Sequence, residues 1–109
     1  MVRGTAQAVE KRLRRAPLFR PQAEAEALEA RRWYEARRAG LGDEFGAEVD
    51  AAVARIVEHP FAFPRVRGET RRAVLTRFPY AVYFRITDDA IVVLAVHSRQ
   101  DPSRWHRRS

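Results

Sequence analysis

Two stretches of the chain carry apolar residues at the spacing of an α-helix. The first begins at Pro21 and places four such residues on one face, Ala23, Ala27, Ala30 and Tyr34. The second repeats the spacing and ends at Pro60, with Phe45, Val49, Ala52 and Ile56 on its face. A Gly-Leu-Gly turn from Gly40 to Gly42 joins them. The pattern predicts an antiparallel helical hairpin.

After Gly68 the apolar residues alternate with polar ones instead, which is typical of strands. Three strands are predicted, at 71–77, 80–87 and 90–97, and a short one at 16–20 before the hairpin. The run 90–97 is almost wholly apolar, so we expect that strand in the centre of the sheet. The predicted fold class is α+β in two layers, with the N-terminal strand and the helical hairpin packed on a small antiparallel β-sheet.

The chain has 109 residues, which suits a single domain. Residues 1–13 show many charges and no clear period, so we expect a flexible or weakly helical extension there, followed by one domain over 14–109. In the tail, Asp101 and Pro102 are suited to begin a short terminal helix.

Composition narrows the classes of function. No cysteine is present, which excludes disulfides, thiolate metal sites and a cysteine nucleophile. The longest apolar run is far shorter than the roughly 20 residues that span a bilayer, so we expect a cytoplasmic protein without membrane contact. The net charge of +7 comes from basic flanks around an acidic middle segment, and it predicts an anionic partner.

The sequence offers few residues in the patterns typical of metal or nucleotide binding. The three histidines, His59, His97 and His106, share no metal-ligand spacing, and no nucleotide-binding motif occurs, so we expect neither a metal nor a cofactor. Cations gather instead on the predicted sheet and tail, at Arg71, Arg72, Arg77, Arg85, His97, Arg99, Arg104 and Arg107. Alternation puts Arg71 and Arg72 on opposite faces of their strand. Such a surface can hold a phosphate backbone, dock an acidic protein segment, or simply be solvated.

Four segments together resemble the RelE/ParE superfamily of toxins, also described as plasmid-stabilisation proteins. They read PQAEAEALEARRWYEARRAGLGDEF, IVEHPFAFP, RRAVLTRFPYAVYFRI and IVVLAVHSRQDPSRW, and the resemblance covers about residue 17 to Trp105. The more specific pieces are Trp33-Tyr34-Glu35, the Gly-Leu-Gly turn, Phe78-Pro79-Tyr80 and the segment from His97 to Trp105. The resemblance implies the toxin of a type II toxin-antitoxin module, neutralised by a cognate antitoxin protein, on which its oligomeric state would depend.

The superfamily implies two mechanisms. RelE-like members cut mRNA on the ribosome, using cations of the sheet and tail and a C-terminal tyrosine. Arg72 and Arg99 match basic positions of that set, but Val74, Ala81 and Trp105 stand where a lysine, an arginine and the tyrosine are expected. His97 would have to compensate in a nuclease of another geometry.

Trp105 and the Phe-Pro-Tyr segment look more like the ParE branch, whose members poison DNA gyrase by binding. We therefore expect a non-enzymatic gyrase poison, with target-binding residues Arg71, Arg72, Arg85, Arg99 and Trp105. The alternatives are a RelE-like mRNA endoribonuclease, with Arg72, Arg99 and His97 as its catalytic candidates, and a non-toxic basic nucleic-acid-binding module.

Overall fold

A computed structural model describes residues 15–98. Its elements are β1 (Ala16–Phe19), α1 (Pro21–Arg37), α2 (Leu41–Glu58), a 3-10 turn (Pro60–Ala62), β2 (Arg65–Arg67), β3 (Thr70–Val74), β4 (Tyr80–Ile86) and β5 (Ala90–Ser98). The predicted extension 1–13 and the terminal helix near Asp101 lie outside the described residues. Neither α-helix of the described part combines the length and the apolar composition that a membrane span requires.

The α+β fold class is confirmed: two helices pack on one face of a five-stranded sheet with the order β1-β5-β4-β3-β2. β5 lies in the interior of this order, as its apolar run predicts. The sheet is mixed rather than wholly antiparallel, because β1 pairs with β5 in parallel. β2, which the sequence analysis did not predict, adds a short antiparallel edge strand beside β3.

The apolar stripes predicted for both helices face the sheet. Their side chains form one core with the inward-facing residues of β3, β4 and β5, and its larger buried members are Phe45, Val49, Ile56, Val82, Phe84, Ile91, Val93 and Val96. Each fully buried side chain of this size contributes about 1.5–3 kcal/mol of hydrophobic stabilisation. This core sets the orientation of every strand, and so decides which residues reach the opposite sheet face.

The hairpin turn depends on a carboxylate as well as on glycine. Gly40 has a φ of 88°, a left-handed conformation that glycine adopts without strain. Glu35 accepts hydrogen bonds from the backbone N–H groups of Gly40 and Gly42, at 3.0 and 2.9 Å. Its negative charge therefore satisfies amides at the N-terminus of α2, where the helix dipole favours an anion.

The strand predicted over 71–77 ends earlier, at Val74. The backbone N–H groups of Thr76 and Arg77 donate to one carboxylate oxygen of Glu48 in α2, at 3.0 and 3.3 Å, instead of to a neighbouring strand. The chain therefore leaves the sheet, and Arg77 is drawn to the helix, where it forms salt bridges with Glu48 and Glu44.

Candidate functional site

The sheet face turned away from the helices, called the outer face below, carries two of the predicted target-binding arginines. Arg72 stands opposite Tyr83 across β3 and β4, and its neighbour Ala73 points into the core. Arg85 lies two residues beyond Tyr83 between inward-facing neighbours and is exposed. The two arginines are therefore diagonal neighbours, with Cα atoms on the order of 7–8 Å apart.

Among residues 15–98, neither arginine is neutralised by an acidic side chain, because no carboxylate there forms a salt bridge with Arg72 or Arg85. A guanidinium stays charged at any physiological pH and offers five N–H donors in a planar fork. The pair therefore presents two positive charges to a partner.

The rest of the outer face is mostly apolar. Val74, Ala81 and His97 form one row across β3, β4 and β5, and Val92 stands beside Leu18 of β1. Val74 is 40% exposed and Leu18 57% exposed. Arginine is among the residues enriched in surfaces that bind proteins.

Arg71, the third predicted target-binding residue of the sheet, lies on the other side. It stands opposite Phe84, a core residue, and its Nη1 donates to the backbone oxygen of Phe63 at 2.7 Å. The sheet thus separates Arg71 from Arg72 and Arg85. Arg99 and Trp105, the remaining members of the predicted set, lie outside the described residues.

His97, the candidate for nuclease chemistry, is only 2% exposed. Its Nε2 lies 3.2 Å from Oε2 of Glu26 in α1, while Oε1 of Glu26 accepts a hydrogen bond from the backbone N–H of Val96 at 2.9 Å. β1 pairs with β5 only as far as Val93, so Glu26 covers the part of the β5 edge beyond it. In this arrangement, His97 and Glu26 join a helix to a strand edge.

A cleft of about 560 Å³ lies between α1 and the end of β5. Trp33 lines this cleft and is half exposed, and the guanidinium carbon of Arg37 lies 3.4 Å from the centroid of its ring. Burial, and secondarily Tyr80, raise the pKa of the Tyr34 hydroxyl above its ordinary 10.0. The cleft is lined by acidic and aromatic side chains, among them Glu26, Glu29, Trp33, Tyr34 and Tyr80.

A second concavity, a groove of about 320 Å³, follows the seam between the two helices. Gly46 of α2 lines it and leaves room for the Arg31 side chain, whose Nη1 lies 3.3 Å from the position of an added Cβ. Leu28, 47% exposed, lies beside it on α1. This groove was not predicted from the sequence, although two features indicate it: Leu28 lies off the apolar stripe, and α2 has two glycines four residues apart. Its apolar lining comprises Phe19, Ala27, Leu28, Phe45 and Val49.

Within residues 15–98, no group of three or more histidine, aspartate or glutamate side chains is arranged to hold a metal ion. Two surface features are on the described part of the chain: two arginines on the outer sheet face, and an apolar groove along the hairpin.

Comparison with known proteins identifies the family. Residues 18–102 match the family model described as the ParE toxin of the type II toxin-antitoxin system parDE. A solved structure titled the chromosomal ParDE TA system from P. aeruginosa is similar in fold, with a TM-score of 0.70 at 15% identity; the match covers 77% of this chain and 95% of that one. Curated protein sequences give no match.

Proposed function

This chain belongs to the ParE toxin family of type II toxin-antitoxin systems, and on that premise we propose that it arrests growth by binding DNA gyrase in the cytoplasm. We further propose that the outer face engages this target, and that a cognate antitoxin protein neutralises the toxin. The predicted residues Arg72 and Arg85 lie on that face, and Arg99 and Trp105 belong to the same proposed target-binding set.

The row of Val74, Ala81 and His97 is the observation that favours target binding over RNA cleavage as the mechanism of this toxin. Cleavage of RNA requires a group that removes the proton from a ribose 2′-hydroxyl and cations that stabilise the charge on phosphorus. Val74 and Ala81 occupy two positions where a RelE-like site would hold cations, and they stand directly opposite each other. His97 is buried against Glu26 rather than open to a substrate.

The groove along the hairpin is suited to the antitoxin. Its floor is apolar, while Glu24, Arg31 and Asp50 surround it with both signs of charge. An amphipathic helix placed in such a groove buries its apolar side chains and pairs its charged ones at the rim. The acidic and basic rim residues would then fix its direction.

A supercoiling and DNA-cleavage assay with purified gyrase tests the target. The wild-type chain should inhibit supercoiling or trap cleaved DNA, and the Arg72→Ala/Arg85→Ala variant should need at least tenfold more protein for the same effect. The matched control is Arg32→Ala/Arg55→Ala, which removes the same charge from exposed helical arginines. Equal activity of the outer-face variant and the control would contradict a role for the outer face, and no effect of the wild-type chain on gyrase would contradict the target.

A further inference from the structure

Phe61 is an exposed aromatic side chain in the 3-10 turn that follows α2. It is 64% exposed, although Phe63 two residues later packs partly against the core. An exposed phenylalanine gains little from folding, because its ring remains in water. The charged groups around the ring, rather than its own packing, indicate its role.

Two guanidinium groups lie close to this ring. The guanidinium carbons of Arg15 and Arg71 lie 5.6 and 5.4 Å from its centroid, within the range of cation–π contact. Backbone carbonyls orient both groups: Nε of Arg15 donates to the oxygen of Thr87, and Nη1 of Arg71 donates to that of Phe63. Both cations are thus preorganised, and no carboxylate of residues 15–98 pairs with either.

A third arginine adds to this charge. Arg65 of β2 stands directly opposite Arg71 of β3, so the two side chains share one face. Like charges in this position destabilise a sheet. Within residues 15–98, neither they nor Arg15 forms a salt bridge. The repulsion would be relieved by a bound anion.

We propose that these four residues, called the Phe61 patch, bind single-stranded nucleic acid. A base stacks on the Phe61 ring, and the adjoining phosphates are held by Arg15, Arg65 and Arg71. Single strands offer flat base faces alternating with negative charges, and proteins bind them with aromatic rings in a basic surface. A duplex keeps its bases stacked inside, and an acidic peptide has the charges but no flat faces.

The patch is distinct from the surface assigned to the toxin's target. Arg71 faces the helix side of the sheet, and Arg72 and Arg85 face the other side. Binding at the Phe61 patch is therefore an additional property, which does not depend on gyrase being the target.

Fluorescence anisotropy with labelled oligonucleotides tests the proposal on the full chain. The probes are oligo-deoxythymidine, oligo-uridine and a DNA duplex of equal length. We expect both single strands to bind more tightly than the duplex. Phe61→Leu keeps an apolar side chain but removes the ring, and it should weaken single-strand binding roughly 5- to 100-fold. Phe61→Trp should retain it.

The control is Trp33→Ala, which removes an exposed aromatic side chain that also contacts an arginine but lies beside Glu26 and Glu29. It should leave the affinity unchanged. Arg65→Ala should make the affinity less dependent on salt, with the log–log slope reduced by about 0.7 for each phosphate that the variant no longer neutralises.

Three results would overturn the proposal. They are an unchanged affinity in Phe61→Leu, an equal loss in Trp33→Ala, or competition by poly-glutamate that is as strong as that by an unlabelled single strand. The last result would assign the patch to an acidic protein segment instead. Circular dichroism of each variant establishes that the fold is intact before its affinity is compared.

Discussion

Replacing Gly42 and Gly46 by alanine one at a time should change stability in opposite directions. Both glycines lie in α2, four residues apart. A Cβ at Gly42 would lie 2.7 Å from the backbone oxygen of Arg31 and 2.9 Å from Oε1 of Glu35. A Cβ at Gly46 would instead meet Nη1 of Arg31 at 3.3 Å, the far end of a flexible side chain.

At Gly42 the backbone of α1 must move away, because the nearest atom belongs to the main chain. Forcing extra volume into a close contact costs about 1–3 kcal/mol. The same shift disturbs the Glu35 carboxylate, which accepts the N–H groups of Gly40 and Gly42. Since Gly42 is only the second residue of its helix, improved helix propensity offsets little of this cost.

At Gly46 the Arg31 side chain can move aside, because its salt bridge to Asp43 is exposed and contributes little to stability, so the gain in helix propensity remains. Glycine in a helix interior is about 1 kcal/mol less favourable than alanine. We therefore expect Gly46→Ala to raise the melting temperature by a few degrees, and Gly42→Ala to lower it by roughly 5–15 °C.

Thermal unfolding followed by circular dichroism measures both variants beside the wild-type chain. The two variants share the same substitution, the same helix and the same neighbouring residue, Arg31. A difference between their melting temperatures therefore reports the difference between the two local contacts. Equal melting temperatures for the two variants would refute the reasoning, since the close approach of the helices at Gly42 would then cost nothing.

Three further outcomes concern the contacts that join helices to the sheet. Glu48→Ala should lower the free energy of unfolding, measured by urea denaturation, by about 1–3 kcal/mol, because the carboxylate accepts two backbone N–H groups. The control Asp50→Ala should lower it by less than about 0.5 kcal/mol. The raised pKa of Tyr34 means that the folded state holds the hydroxyl proton more tightly than the unfolded state does. The free energy of unfolding should therefore fall as pH rises above 10.0. Tyr34→Phe should remove the part of this fall that comes from Tyr34. Glu26→Ala should speed amide hydrogen exchange at Val96; unchanged exchange would contradict its role at the strand edge.

The helical hairpin was predictable because the sequence pattern of each helix lies within one continuous segment. Residues such as Ala23, Ala30, Phe45 and Ile56 repeat at helical spacing, and a glycine turn and two prolines mark the ends. The structure buries all four. Periodicity within one segment is sufficient for this part of the fold.

The sheet was predicted less completely because strand pairing is not local. Nothing within residues 16–19 indicates that β1 runs parallel to β5, more than 70 residues later. β2 is only three residues long and carries two arginines, so it has no apolar pattern to detect. The early end of β3 depends on Glu48, which is 28 residues from Thr76 in sequence.

The candidate site was predictable in its residue types but not in its geometry. Alternation separates Arg71 from Arg72, and the structure places Arg72 and Arg85 together on the outer face. The burial of His97 could not be foreseen, since Glu26 lies in a different element. Phe61 falls in a loop by sequence, and only the fold brings Arg15 and Arg71 beside it.

Expression of the chain alone in bacteria shows whether it arrests growth through gyrase, when growth, plasmid topology and mRNA integrity are measured in the same cells. We expect growth arrest with DNA breaks or altered supercoiling and intact mRNA, and relief of the arrest in Arg72→Ala/Arg85→Ala. Growth arrest with cleaved translating mRNA and normal plasmid topology would contradict it, and so would normal growth of cells that accumulate the folded protein.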